Sequence, residues 1–198
     1  LLEYAAAVGD TGNTADELAF LRSEREFTNL LLVEQPNGDF AHIMVRQFLF
    51  DAYQRELWDA LAHSTDHTVA GIAAKASKEA AYHVRHSHGW LVRLGDGTTE
   101  SHLRMEQAIA DLWRFVDEMF DTDSLDEKMT TAGMGVAPAA LRGAWEALVD
   151  ATLEEATLHH GPVDPQRRGG RSGFHTEHLG HLLTEMQWMQ RSYPGLEW

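Results

Sequence analysis

The stretch GFHTEHLGHLLTEMQ, residues 173–187, holds His175, Glu177, His178, His181 and Glu185. Histidine and carboxylate three or four residues apart on a helix point from one face. Four helices that each contribute such groups can hold two metal ions between them and carry oxidative chemistry. A working centre of that kind takes one Glu from each of two helices and a Glu-x-x-His pair from each of the other two. No Glu in this chain has a His three residues on: Glu79 meets Tyr82, Glu177 meets Gly180, and Glu185 meets Trp188. The near matches are Glu79–His83, Glu155–His159 and Glu177–His181, whose four-residue spacing also shares a face. The one Asp-x-x-His, Asp39–His42, falls at a loop-to-helix entry, where Asp39 is expected to act as an N-cap.

Other chemistry-bearing residues sit among these. Asp51 lies between Phe48, Leu49, Phe50 and Tyr53, so a buried carboxylate is expected there. Gln54, one turn on, is a neutral amide and a poor ligand for iron. Around Glu79 and His83 stand Lys75, Lys78 and Arg85. An ammonium or guanidinium inside a carboxylate-lined bundle supplies the positive charge that metals would have supplied. The expectation is therefore a polar interior satisfied by salt bridges through these three cations. His175, His178 and His181 recur at steps of three and form a slanting stripe rather than a convergent cluster. They are expected on a partly exposed helix face, hydrogen-bonded near an interface. Arg167, Arg168 and Arg171, with Gly169 and Gly170, predict a mobile basic loop, a connection that can also dock an acidic partner or an anionic ligand. Trp58, Trp90, Trp113, Trp145 and Trp188 fall at helical spacing, as core or interface anchors do.

The elements that must position these groups are helices; no stretch alternates with period two. Thr14-Ala-Asp-Glu17 has capping-box form and predicts a helix to about residue 34, broken by QPNGD at 35–39. Further helices are predicted over 40–63, 68–94 and 99–120. The last carries one apolar stripe of Met105, Ile109, Leu112, Trp113, Val116, Met119 and Phe120. Ser124–Glu127 predicts a short helical turn. Pro138 suits the first turn of a helix to about residue 158, with Leu141, Trp145, Leu148 and Val149 on one side. After the irregular stretch 161–173, a final helix is predicted over 174–192. About six helices without a strand predict an all-α bundle, a single domain over residues 1–198.

Bulk composition agrees. The 198 residues are 43% apolar and 24% charged, the balance of an ordinary globular chain with room for a sizeable core. With 31 acidic side chains against 16 Lys and Arg the formal charge is −15, which argues against a nucleic-acid binder. The chain has no cysteine, so disulfides, thiolate metal sites and a Cys nucleophile are excluded, and a reducing, cytoplasmic location is expected. No apolar run approaches the roughly 18–20 residues of a membrane span. No nucleophile elbow, P-loop or dinucleotide fingerprint occurs. The first residues, LLEYAAAVGD, lack an initiator Met and a basic leader region and predict the tail of a helix already under way, with upstream residues expected.

Four strings, FTNLLLVEQPNGDFA, KEAAYHVRHSHGWLVRLGDGT, LWRFVDEMFD and HTEHLGHLLTEMQWMQRSYPG, together resemble the PaaC-type, ferritin-like subunits of bacterial phenylacetyl-CoA epoxidases over nearly the whole chain. The resemblance implies a ferritin-like bundle with its N-terminal helix truncated here. It implies a structural, metal-free subunit of a multicomponent monooxygenase in aerobic phenylacetate catabolism. The di-iron site would belong to a catalytic ferritin-like partner, which oxidises the ring of phenylacetyl-CoA to a 1,2-epoxide with O2 and electrons from a reductase. Further members of the complex are implied, and self-association remains open. By fold analogy the degenerate metal positions are Asp51, Gln54, Glu79, His83, Glu177 and His181, with Gly180 where a histidine would be needed. Two other readings stay open: a di-metal carboxylate oxidoreductase in its own right, using four-residue spacings, and a helical module that binds an anionic CoA thioester through the 167–171 loop.

Overall fold

The computed structural model describes residues 1–9, 12–162 and 165–195; Val163 and Asp164, within the irregular stretch 161–173, lie outside them. Among the described residues there is no strand, and the architecture is the all-α bundle that the periodicity predicts. The α-helices are α1 (Leu2–Val8), α2 (Phe40–Leu61), α3 (His67–Gly95), α4 (Thr99–Leu112), α5 (Ser124–Thr131), α6 (Arg142–Glu155) and α7 (Glu177–Ser192). By internal contact the chain forms two compact units. One is Asn37–Arg167, and the other joins Leu1–Pro36 to Arg168–Trp198.

In the first of these units, α2 packs on α3, α4 and α6. It buries Ala41, Met44, Val45, Phe48, Leu49, Asp51, Ala52 and Tyr53, a set too wide for one stripe and suited to a helix surrounded by others. Short polar side chains fix where each helix starts. Asp39 accepts the His42 N–H (3.0 Å), as its sequence position predicts. Asp66 accepts from Thr68 and Val69, and Thr98 closes a capping box with Ser101. Asp123, one residue ahead of the predicted turn, caps α5. Trp145 of α6 fills the centre. Its Nε1–H donates to the Leu49 carbonyl (2.9 Å), and its ring lies 5.2 Å from Phe120 in an edge-to-face contact.

The helix predicted over 99–120 differs from what forms. α4 stops at Leu112, and two tight turns, Trp113–Phe115 and Asp117–Phe120, follow. Phe115, Val116, Glu118, Met119 and Phe120 are all buried. The segment is thus enclosed on more than one side, as α2 is. The Arg142 guanidinium holds the segment by pairing with Asp117.

The second unit overturns one predicted helix. The capping box at 14–17 forms, with Glu17 accepting the Thr14 N–H (2.7 Å) and Thr14 Oγ1 accepting the Glu17 N–H (3.2 Å). The helix does not run on to residue 34. A single wide turn at Glu17–Leu21 ends at Arg22, which is extended, and short turns at Glu24–Glu26 and Leu31–Glu34 replace the rest. The cause is a competing start signal. Ser23 and Glu26 form a second capping box, and an N-cap residue must leave helical geometry. Arg22 reinforces the break by lying over the Phe27 ring at 4.1 Å. In the same unit α7 buries Leu179, Leu183 and Gln187, while Leu182, Met186, Met189 and Tyr193 stay exposed at steps of four, three and four.

His42 ties the start of α2 to α4. Its two ring nitrogens lie 2.8 Å from Asp39 and 3.1 Å from Asp111. Two carboxylates can be satisfied together only when both nitrogens carry protons. Burial works against that charged form, but the two carboxylates outweigh it and raise the His42 pKa above its ordinary 6.5. The His42 hydrogen bonds, with help from Arg104, hold Asp39 down to about 2. The contribution of His42 is complete below pH 6.5 and is lost as pH rises through its higher folded value. That of Asp39 is present above 3.8 and fades as pH falls toward 2. His42→Gln is therefore expected to narrow its stability gap to wild type as pH climbs above 6.5, measured by urea unfolding across pH. A gap independent of pH would refute the clasp. Trp145→Ala is expected to destabilise by about 3–5 kcal/mol in the same measurement.

Candidate functional site

Among the described residues three carboxylates are buried, Asp51 and Glu118 in the 37–167 unit and Glu34 in the other, and two of them, Asp51 and Glu34, fall beside predicted site residues. In the 37–167 unit, Asp51 is 3% exposed. Gln47, one turn earlier on α2, donates Nε2–H to its Oδ1 (2.6 Å), and Ser87 Oγ from α3 lies 2.9 Å from its Oδ2. The same Ser87 hydroxyl lies 2.9 Å from the His83 carbonyl, so its one proton serves either neighbour, and Asp51 can meet it as acceptor or donor. Burial pushes the Asp51 pKa up, against the opposing pull of Gln47, Ser87 and the nearby histidines. His83 Nδ1 lies 4.0 Å from Oδ1, and the His83 side chain is 56% exposed. Met44, Gln47, Asp51, Tyr82, His83 and His86 line a cleft of about 430 Å³.

Of the expected ligand positions within the 37–167 unit, only His83 lines the cleft with Asp51. Gln54 is half-buried and Glu79 is exposed, and neither lines the cleft. Glu177 and His181 belong to the other unit, both exposed on α7. Gly180, where a histidine would be needed, faces Glu24, whose Oε2 would lie 3.3 Å from an added Cβ. Among the described residues, no three His, Asp or Glu side chains group so as to hold a metal ion. The interior ion pairs expected of Lys75, Lys78 and Arg85 are also corrected. All three are exposed, because the inward face of α3 is Ala73, Ala80, Val84, Ser87 and Leu91. Arg85 sits over the Tyr82 ring instead, at 5.4 Å. Asp51 is met by an amide and a hydroxyl.

In the other unit the predicted histidine stripe divides. His175 precedes α7, and its side chain is 2% exposed against a wholly buried Glu34. His175 Nδ1 and Glu34 Oε1 share a 2.6 Å hydrogen bond, while Nε2–H donates to the Phe27 carbonyl (2.9 Å). Thr176 gives Glu34 Oε2 two bonds, from its N–H and its hydroxyl, each 2.8 Å. Asn29 Nδ2 donates to Oε1 (2.9 Å). A carbonyl only accepts, so Nε2 is protonated, and one further proton lies between Nδ1 and Oε1. Wherever that proton rests, the pair is neutral as a unit, which is how a buried carboxylate becomes tolerable. His178 is half-buried and His181 exposed, as a helix-face stripe predicts.

The basic loop packs closely at Gly170. Gly170 is buried, and a Cβ there would fall 2.1 Å from the Asn29 carbonyl, so only glycine allows this approach. Arg168 and Arg171 each hold interactions of their own, and the Arg167 N–H donates to the Arg114 carbonyl (2.7 Å). Arg167 falls in one unit, Arg168 and Arg171 in the other.

The family model of the phenylacetic acid catabolic proteins matches residues 1–198. The chain belongs to that family. It is 51% identical, over 197 residues, to the C-type subunit of the 1,2-phenylacetyl-CoA epoxidase of Escherichia coli (strain K12), covering all of this chain and 79% of that protein. Among the described residues of this family member, no helix is long and apolar enough to cross a membrane.

The sequence pointed to Asp51 and missed its partners. Gln47 carried a signal, one helical turn from a carboxylate in an apolar run. Ser87 carried another, a small polar residue in the inward register of α3. Glu34 carried none, since its partners His175 and Thr176 lie more than a hundred residues away. Asp51→Asn, neutral at every pH, is expected to match or exceed wild type in melting temperature at pH 7. That advantage shrinks as pH falls toward 3.8, because a raised folded pKa penalises the ionised form only above that range. A marked loss of stability at pH 7 would show an ionised Asp51 that the fold needs. His175→Ala strands the Glu34 carboxylate and is expected to cost about 3–5 kcal/mol in chemical unfolding, partly recovered by adding Glu34→Gln.

Proposed function

We propose that this chain is a structural, metal-free subunit of a multicomponent phenylacetyl-CoA 1,2-epoxidase. In this role it holds and positions a di-iron catalytic subunit of related fold in the cytoplasm, with a reductase supplying electrons. The observation that carries the reading is the 51% identity, along the whole chain, to one subunit of such an epoxidase. Two features support the structural part. The sequence has no Glu-x-x-His pair, and both oxygens of Asp51, the buried carboxylate on α2, are engaged by Gln47 and Ser87. Asp51, Gln54, Glu79, His83, Glu177 and His181 are then degenerate positions rather than ligands.

What a metal-free member of such a complex contributes is surface and rigidity. The exposed stripe of Leu182, Met186 and Met189 on α7, continued by Tyr193 just past its end, is the kind of helix face that another helix covers. The test is reconstitution with the catalytic subunit, a reductase, O2 and phenylacetyl-CoA. Epoxide is expected only when both ferritin-like chains are present and co-elute at a fixed ratio. Epoxide formed by this chain and the reductase alone, or full activity of the catalytic subunit without it, would overturn the proposal.

A further inference from the structure

We infer that the cleft between α2 and α3 is a socket for an arginine side chain presented by a partner protein. Its floor is a carboxylate with no strong cation of its own. The nearest basic nitrogen, His83 Nδ1, is 4.0 Å away on a largely exposed side chain. Lys75, Lys78 and Arg85, the cations of α3, all lie exposed, and Arg85 is turned to Tyr82. A buried carboxylate that lacks a cation gains strongly when one arrives and water leaves with it.

The walls select the kind of cation. Tyr82 is 57% exposed and stacks near His86, centroids 6.4 Å apart with planes at 18°. A guanidinium lays its flat face along such rings, whereas an ammonium, compact and strongly hydrated, gains less there. The Asp51 carboxylate and the Gln47 amide oxygen offer acceptors to a planar fork of N–H groups, and Met44 gives the methylene stem an apolar wall. About 430 Å³ of space admits the whole side chain. The chain's formal charge of −15 favours a basic partner at longer range.

The inference rests on the reading that the chain works inside a complex, but its test uses the isolated chain. A failed reconstitution therefore leaves this result standing, and the reverse. Nα-acetyl-L-arginine N-methylamide is titrated into the protein while NMR follows the imidazole signals of His83 and His86. The matching citrulline and lysine amides serve as neutral and ammonium controls. Saturable shifts are expected with the arginine probe. Binding should be weaker by about tenfold or more with citrulline and with Asp51→Asn, and by a few-fold with lysine and with Tyr82→Leu. Tyr82 is exposed, so that variant decides the matter even where Asp51→Asn alters the fold. The inference is overturned by no saturation, by equal response to arginine and citrulline or lysine, or by undiminished binding in a folded Asp51→Asn or Tyr82→Leu protein.

Discussion

Helix α2 must be buried on several sides at once, and the 37–167 unit is arranged around that requirement. Phe48, Ala52, Val45 and Leu49 are almost wholly inaccessible, which obliges α3, α4 and α6 to surround the helix. A helix so enclosed must also carry any polar group inside with it. Asp51 is that group, and Gln47 on α2 and Ser87 on α3 satisfy it without a cation. Trp145 completes the enclosure by bonding to the α2 backbone at Leu49. The short turns after α4 bury Phe115, Val116, Glu118, Met119 and Phe120 in the same unit.

The same economy appears in the other unit. Glu34 is as deeply buried as any core leucine, and a histidine, a threonine and an asparagine answer it. Through Glu34 and the Phe27 carbonyl, His175 fixes the start of α7 against residues 27–34. Asp51 and Glu34 are each satisfied by hydrogen bonds from the chain's own neutral or paired groups. A metal centre places its carboxylates otherwise, converging with lone pairs left open.

Much of the fold was legible. The helices at 40–61, 67–95 and 177–192 follow from apolar period and caps, because those signals are local. The failure over 14–34 was local too. Two capping boxes stand nine residues apart, and the second, at Ser23, ends what the first begins. The site was half legible. Asp51 announced itself by its apolar neighbours, but which way α3 faces depends on packing, and that orientation sends Lys75, Lys78 and Arg85 outward and Ser87 inward. The histidine stripe at 175–181 suggested a metal, yet its first member is half of a buried proton-sharing pair. Nothing nearby in the chain could have revealed that, because Glu34 lies 141 residues from His175.

The central claim is that this bundle holds its shape without metal and leaves oxygen chemistry to a partner. Iron counted per chain tests it most directly, after this chain and the proposed catalytic subunit are purified together, loaded with ferrous iron and separated. The account predicts far less than one iron in this chain and no di-iron Mössbauer signature. Two irons per chain with that signature would contradict it.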